Sequence, residues 1–292
     1  MKKTILLTGS TGYLGSYLAK ALVAKGHKLI ILKRKNSSLL QIESIVQMIT
    51  LYNIENLDYS IPFTAHGKID AVIHTATCYG RNGETLSEIF EANTSFPLRL
   101  MDAAKAAGVG IFINSDTILD KYVNLYSLSK SQLLEWGKFF CMYNKMFFIN
   151  MRLEHFYGPG DTESKFTTHV INSCMRNVPE LELTFGEQIR DFIYIDDVVS
   201  AYLIVLDKVK GFSDFFNEFD VGSGKALSIK KFVEKVHQIT DSQTYLAFGR
   251  APYRTGEVMS SHANIDPLLK LGWFCKTNLE EGLKLVIEGY KK

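Results

Sequence analysis

Short apolar runs separated by amphipathic stretches pattern the first half of the chain. KKTILL (2–7), HKLIILK (27–33), MITLY (48–52), DAVIHTA (70–76), GIFINS (110–115) and MFFINMR (146–152) are strand-length and apolar enough to be buried on both faces. After the first run, Tyr13, Leu14, Tyr17, Leu18, Ala21 and Leu22 make an apolar stripe at helical spacing. Further helices are expected over about 85–107 and 125–143. This alternation with short connections predicts an α/β protein built on a doubly wound parallel sheet, the Rossmann arrangement.

Beyond Arg152 the rhythm changes. A helix near 162–178, one or two short strands in 181–195, a helix over 196–209 opening on Asp196-Asp197, and a helix over about 228–239 are expected. No Pro- or Ser-rich linker divides the halves. The expected organisation is a dinucleotide-binding domain of 1–152 plus roughly 191–222, with a smaller α/β C-terminal substrate lobe of 153–190 and 223–292. A ligand would lie between them.

Charge narrows the partners. Lys+Arg minus Asp+Glu is 33 − 31 = +2, too balanced for nucleic acid or an acidic membrane surface. No apolar run approaches a membrane span. Cys78, Cys141, Cys174 and Cys275 are scattered without Cys-x-x-Cys spacing, so neither a metal site nor a disulfide framework is expected, and a reducing, cytoplasmic setting is.

Gly9-Ser10-Thr11-Gly12-Tyr13-Leu14-Gly15 lies between the first strand and the first helix. Glycines there allow a tight turn and close approach of a diphosphate, which the helix N-terminus then meets with free N–H groups. An acidic residue about 20 positions on would select NAD through a ribose hydroxyl. This chain has Lys33-Arg34-Lys35 instead, and Arg34 suits a 2′-phosphate, so NADP(H) is expected rather than NAD(H). The alternative is a solvated charge run.

Tyr126 and Lys130, at i and i+4 of a predicted helix, share one face. An ammonium beside a phenol would lower its pKa toward the working range. Ser115 ends the preceding strand, where ligands of open α/β sheets bind, and could hold a carbonyl oxygen beside the phenol. Asp116 and Thr117 are polar neighbours in the same turn, equally suited to capping.

TGSTGYLG, DAVIHTA, EANTSFPLRLMDAA and YSLSK together resemble the extended short-chain dehydrogenase/reductases that act on nucleotide sugars, the NAD-dependent epimerase/dehydratase family. GEQIRDFIYIDDVV, FDVGSG, RTGEV and LGW extend the resemblance through essentially the whole chain. NMRLEHFYGPGD and GEQIRDFIYIDDVV look most like CDP-abequose synthases and their relatives. The resemblance implies Ser115, Tyr126 and Lys130 as catalytic residues. It implies cofactor contacts from Gly9, Thr11, Gly12, Tyr13, Leu14, Gly15, Arg34, Asn53, Ala76 and Lys130, with Asn53 standing where many relatives carry Asp. Asn93 matches a structural Asn. Substrate contacts would come from Arg81, Asp116, Thr117, His155, Arg190 and Arg254, the last two on the diphosphate. For Arg81 a solvated position, for Arg190 an ion pair with Asp191, and for His155 and Glu154 a buried polar pair are the competing readings.

Only ten residues separate Ser115 from Tyr126, fewer than the family's usual proline-containing loop, and the Thr-Asp-Glu of sugar 4,6-dehydratases is Ser115-Asp116-Thr117 here. The missing Glu argues against a dehydratase. The implied activity is NADPH-dependent reduction of the C4 keto group of a nucleotide-linked 4-keto-6-deoxyhexose for a surface polysaccharide. A nucleotide-sugar 4-epimerase and a catalytically silent dinucleotide sensor are the alternatives. The implied partners are a nucleotide-diphosphate sugar and a second copy in a homodimer.

Overall fold

The computed structural model describes residues 1–254 and 256–290. In chain order its elements are β1 (Thr4–Thr8), α1 (Tyr13–Ala24), β2 (Lys28–Lys33), β3 (Ile49–Asn53), α2 (Ser60–His66), β4 (Ala71–His74), α3 (Leu86–Phe90), α4 (Phe96–Ala106), β5 (Ile111–Thr117), α5 (Leu125–Tyr143) and β6 (Phe147–Leu153). They continue with β7 (His155–Tyr157), α6 (Phe166–Met175), β8 (Glu180–Leu183), β9 (Ile189–Tyr194), α7 (Ile195–Lys208), β10 (Phe216–Val221), β11 (Ala226–Ser228), α8 (Ile229–Thr240), β12 (Tyr245–Phe248), α9 (Asp266–Lys270) and α10 (Leu279–Tyr290). Two compact units result, Met1–Arg152 with Tyr202–Phe219, and Leu153–Ala201 with the chain from Asp220 on.

The first unit carries the seven-stranded parallel sheet, ordered β10-β6-β5-β4-β1-β2-β3. The sheet is doubly wound, as the alternation predicts. Strand order reverses between β1 and β4, which pair in register from Ile5↔Ala71 to Thr8↔His74. The carboxyl ends of these two strands therefore diverge to opposite sides, the usual ligand position in open α/β sheets. Leu6, Ile30, Val72, Phe112 and Phe148 on the strands pack against Leu100 and Leu133 on the helices. Helix α5 seats closely on β6 because Gly137 has no side chain; a Cβ there would lie 2.4 Å from the Phe148 ring.

The expected helix over 85–107 is interrupted. A π turn, Glu91–Ser95, separates α3 from α4, and it turns both Asn93 and Thr94 into the interior. Hydrophobic periodicity carries no mark of such a turn.

The second unit holds a three-stranded sheet ordered β11-β9-β7 and a two-stranded parallel pair, β12 with β8. Buried Asp191 on β9 pins the FDVGSG loop, accepting from Ser223 N (2.7 Å), Ser223 Oγ (2.5 Å) and Gly224 N (2.9 Å). Among the described residues no helix is long and apolar enough to cross a membrane, and no group of three or more His, Cys, Asp and Glu could hold a metal ion.

Candidate active site

The turn from β1 into α1 is closed by contact between backbones. A Cβ on Gly9 (φ +74°) would lie 2.5 Å from Ala76 N, and one on Gly15 would lie 2.1 Å from Gly9 O. Both distances are impossible, so glycine is required by space as well as by the turn. Gly12 N donates to Gly9 O at 2.9 Å. Thr11 is half-buried, Gly12 exposed and Leu14 buried, while Tyr13 meets Tyr17 edge-on with centroids 5.3 Å apart. The result is a tight backbone turn at the start of a helix, closed against Ala76.

Helix α5 starts at a capping box, in which Asn124 accepts from Ser127 N at 2.8 Å and Ser127 Oγ accepts from Asn124 N at 3.2 Å. That cap fixes where the helical register begins, and so where Tyr126 and Lys130 fall one turn apart. Tyr126 is half-buried and Lys130 almost fully buried. Among the described residues the Lys130 Nζ has no hydrogen-bond partner, and neither does the buried Ser10 Oγ beside the glycine turn. An unpartnered buried ammonium and hydroxyl, together with a glycine turn at a helix N-terminus, fit a dinucleotide that brings its own acceptors.

Burial dominates the electrostatics here. Desolvation pushes the Tyr126 phenol well above its ordinary value, with Tyr79 and Asp116 adding to the rise. Desolvation lowers Lys130 to about 8, against an opposing pull from Asp116. The expected lowering of the Tyr126 pKa by Lys130 is thus overridden by burial, and the phenol is held protonated.

Ser115 lies near the end of β5, buried, and accepts from the Tyr202 hydroxyl at 2.7 Å. Asp116 is also buried, and its two oxygens accept from Thr117 N (2.7 Å) and Asn150 Nδ2 (2.9 Å). Asn150 also accepts from Asn114 Nδ2 (2.8 Å) and donates to Glu218 (2.9 Å), so a polar chain crosses β5, β6 and β10 beneath the site. Thr117 Oγ1 accepts from Leu119 N at 3.3 Å. Arg81 is exposed and lies over the Tyr79 ring at 5.2 Å, and that ring meets Tyr126 at 5.0 Å. His74, neutral because burial and the Lys130 charge both lower its pKa, hydrogen bonds Thr8 Oγ1 through Nδ1 at 2.8 Å.

The first unit therefore gathers Ser115, Asp116, Thr117, Tyr126 and Lys130, with Tyr79 and Tyr202 added. Neither tyrosine is legible in the sequence as functional. Tyr202 falls in the apolar stripe of α7 and looks like core, and Tyr79 lies in a loop with no motif of its own.

In the second unit Arg190, buried on β9, turns away from Asp191 and pairs with Glu257 at 2.8 Å. The competing reading, an ion pair with Asp191, is not what forms, because Asp191 is occupied by Ser223 and Gly224. Glu154 accepts from Ser261 Oγ (2.5 Å) and contacts His155 Nδ1 (3.2 Å). Desolvation lowers the Arg190 pKa, and the charges of Glu257 and Glu154 oppose that fall. Arg254 is exposed. Thr255, within the RTGEV motif, lies outside the described residues.

At the far edge of the sheet Asn53 ends β3 opposite Lys33 of β2, and Asn53 and Arg34 are both exposed. Lys33 Nζ folds back on the carbonyls of Arg34 and Lys35, each at 3.0 Å. Both oxygens of Glu55 accept from Lys35 N, at 2.9 and 3.0 Å, and this bond lowers the Glu55 pKa.

The chain is similar to several known proteins. CDP-abequose synthase of Salmonella muenchen is 34% identical over 294 residues, covering 98% of each chain. The structure of MoeE5 in complex with UDP-glucose and NAD matches with a TM-score of 0.83 at 23% identity, covering 99% of this chain and 98% of that one. UDP-glucose-4-epimerase from Stenotrophomonas maltophila, solved with bound NAD and formylated UDP-arabinopyranose, matches with a TM-score of 0.84 at 20% identity over 99% and 98%.

These structures correct the expected cofactor. Both hold NAD, not NADP. The local chemistry agrees: a carboxylate, Glu55, is fastened to the basic run, and one of the three cations is turned onto its own backbone. Lys33-Arg34-Lys35 thus has a carboxylate beside it that its composition does not show. The sequence profile of the NAD dependent epimerase/dehydratase family matches residues 5–217. The chain belongs to this family of nicotinamide-dependent oxidoreductases.

Proposed function

We propose that this protein moves hydride between NAD(H) and C4 of a nucleotide-linked hexose. The observation that carries the proposal is the partnerless Lys130 ammonium, buried one helical turn from Tyr126. The first unit takes the dinucleotide role and the second the nucleotide-sugar role. Gly9, Thr11, Gly12, Tyr13, Leu14, Gly15 and Ala76 would hold the diphosphate end, Arg34 and Asn53 the adenosine end, and Lys130 the nicotinamide ribose. Bound NAD(H) supplies or accepts the hydride at C4.

The chain's own residues handle the oxygen and its proton. Tyr126, protonated at rest, gives its proton to O4 as a carbonyl is reduced and takes it back as a hydroxyl is oxidised. Ser115 donates a hydrogen bond to O4, and the Lys130 charge steadies the phenolate once it forms. Asp116, with both oxygens engaged below the site, acts on Tyr126 and Lys130 through its charge. Arg190 and Arg254 are assigned to the diphosphate of the sugar nucleotide, and Arg81, Thr117 and His155 to its sugar or phosphates. Binding at Arg190 would exchange Glu257 for a phosphate oxygen.

Two finer reactions share this machinery. The solved structures favour a 4-epimerase that retains its NAD through both half-reactions, since a UDP-glucose-4-epimerase with bound NAD is among them. The name of the Salmonella muenchen relative favours a C4 ketoreductase. The test is turnover of UDP- and CDP-linked hexoses followed by mass spectrometry. Interconversion of 4-hydroxy epimers without added cofactor supports the epimerase. Loss of NADH absorbance with a 4-keto-6-deoxy sugar, and a gain of two hydrogens, supports the reductase. Neither reaction on any nucleotide sugar would overturn the proposal. A homodimer belongs to the same reading, supported by the exposed Trp136, Phe139, Met142 and Tyr143 on α5; sedimentation tests it.

A further inference from the structure

We infer that Tyr202 is a positioning residue, setting the direction in which Ser115 offers its hydroxyl proton. This rests on the C4 oxidoreduction reading above. Tyr202 is fully buried on α7, and its hydroxyl lies 2.7 Å from Ser115 Oγ. A phenol is a stronger donor than an aliphatic alcohol and a weaker acceptor, because its lone pairs are delocalised into the ring. Burial raises the Tyr202 pKa further and keeps its proton in place. The bond therefore runs from Tyr202 to Ser115.

A serine hydroxyl has one proton and two lone pairs. With one lone pair filled by Tyr202, the rotation of the hydroxyl about Cβ–Oγ is restricted, and its proton must point away from the phenol. The carboxylate next door does not capture it, since Asp116 is occupied by Thr117 N and Asn150 Nδ2. Among the described residues no protein acceptor takes the Ser115 proton. It is left for an oxygen that arrives with the substrate. An unanchored serine at this place could rotate freely and offer its proton in other directions. Tyr202 thus orients the Ser115 proton without touching the reacting atoms.

The test is a double-mutant cycle on the NAD-loaded protein, using Tyr202→Phe, Ser115→Ala and the pair. The nucleotide sugar is whichever the wild type turns over. Tyr202→Phe keeps the ring, so melting temperature and NAD affinity report whether folding is intact. Its kcat should fall about tenfold with KM changed less than twofold, the range for losing one oriented hydrogen bond in the transition state. On the Ser115→Ala background the same substitution should cost nothing further. A near-normal kcat, or an equal loss on both backgrounds, overturns the inference. Tyr labelled with ¹³C at Cζ gives a second measurement that needs no turnover. Ser115→Ala should shift the Tyr202 resonance, which Tyr202→Phe identifies by its disappearance, and an unmoved resonance overturns the inference. A wild type inactive on every nucleotide sugar would sink the C4 reading, and the resonance would still decide the positioning.

Discussion

Asn93 Nδ2 donates to Ser129 Oγ at 2.9 Å and to Cys78 O at 2.8 Å, while its Oδ1 accepts from Cys78 N at 2.7 Å. One fully buried amide thus ties the loop after β4 to the helix that carries Tyr126 and Lys130. The adjacent Thr94 adds a bond to Ser129 O at 3.0 Å.

Replacing Asn93 with Ala would remove the partner of both Cys78 N and Cys78 O, while Ser129 Oγ would keep its bond to Tyr126 O at 2.8 Å. The expected loss is about 2–4 kcal/mol of stability, above that of an ordinary surface change. Urea unfolding measures it, and a loss under about 1 kcal/mol would show that the Cys78 backbone finds other partners.

Tyr126→Phe should lower turnover at least a hundredfold, roughly the contribution of a positioned general acid. NAD affinity should be nearly unchanged, because the ring and the helix remain. Steady-state kinetics with a fluorescence titration separates the two, and near-normal turnover would remove Tyr126 from the chemistry.

Lys130 makes the ligand-free fold pH-sensitive in a defined direction. Its pKa is about 8 in the folded protein against an ordinary 10.5. Between those values the unfolded chain holds more protons, so stability should rise as pH climbs from about 8 to about 10.5 and level off beyond. Lys130→Met lacks the buried charge. At pH 7 it should be more stable than wild type by on the order of 3 kcal/mol, an advantage that shrinks through that window. Thermal melts across pH test both the sign and the window, and equal melting at pH 7 would refute them.

Glu55→Gln should raise NADPH affinity severalfold and move NADH affinity less than twofold. Only the former carries a phosphate that the carboxylate repels. Fluorescence titration of both cofactors decides; equal changes would mean that Glu55 only braces the Lys35 backbone.

Six strands of the large sheet were legible as short apolar runs, such as LIIL in β2, whereas β10, FNEFDV, was not, because its polar residues break the run. The short strands β7, β11 and β12 were not, since three or four residues carry too little pattern to separate them from loops. Gly9, Gly15, Tyr126 and Lys130 could be picked out from spacing along one element. Composition at Lys33-Arg34-Lys35 gave no sign of Glu55, about 20 positions away and brought beside the run by the pairing of β2 with β3. Arg190 shows the same limit: its sequence neighbour Asp191 points to a different task, and its partner Glu257 comes from 67 residues further on.

The closed contacts around Gly9 have a thermodynamic consequence. With Gly9, Gly15 and Ala76 already in contact, the β1–α1 turn has no slack to lose when a dinucleotide arrives. The ordering entropy of the loop is spent during folding, so little of the binding free energy is consumed in shaping the site. Enlarging Gly9 or Gly15 would do more than block the cofactor sterically: by prising the turn open, it would return that entropy to the loop and charge it against every binding event.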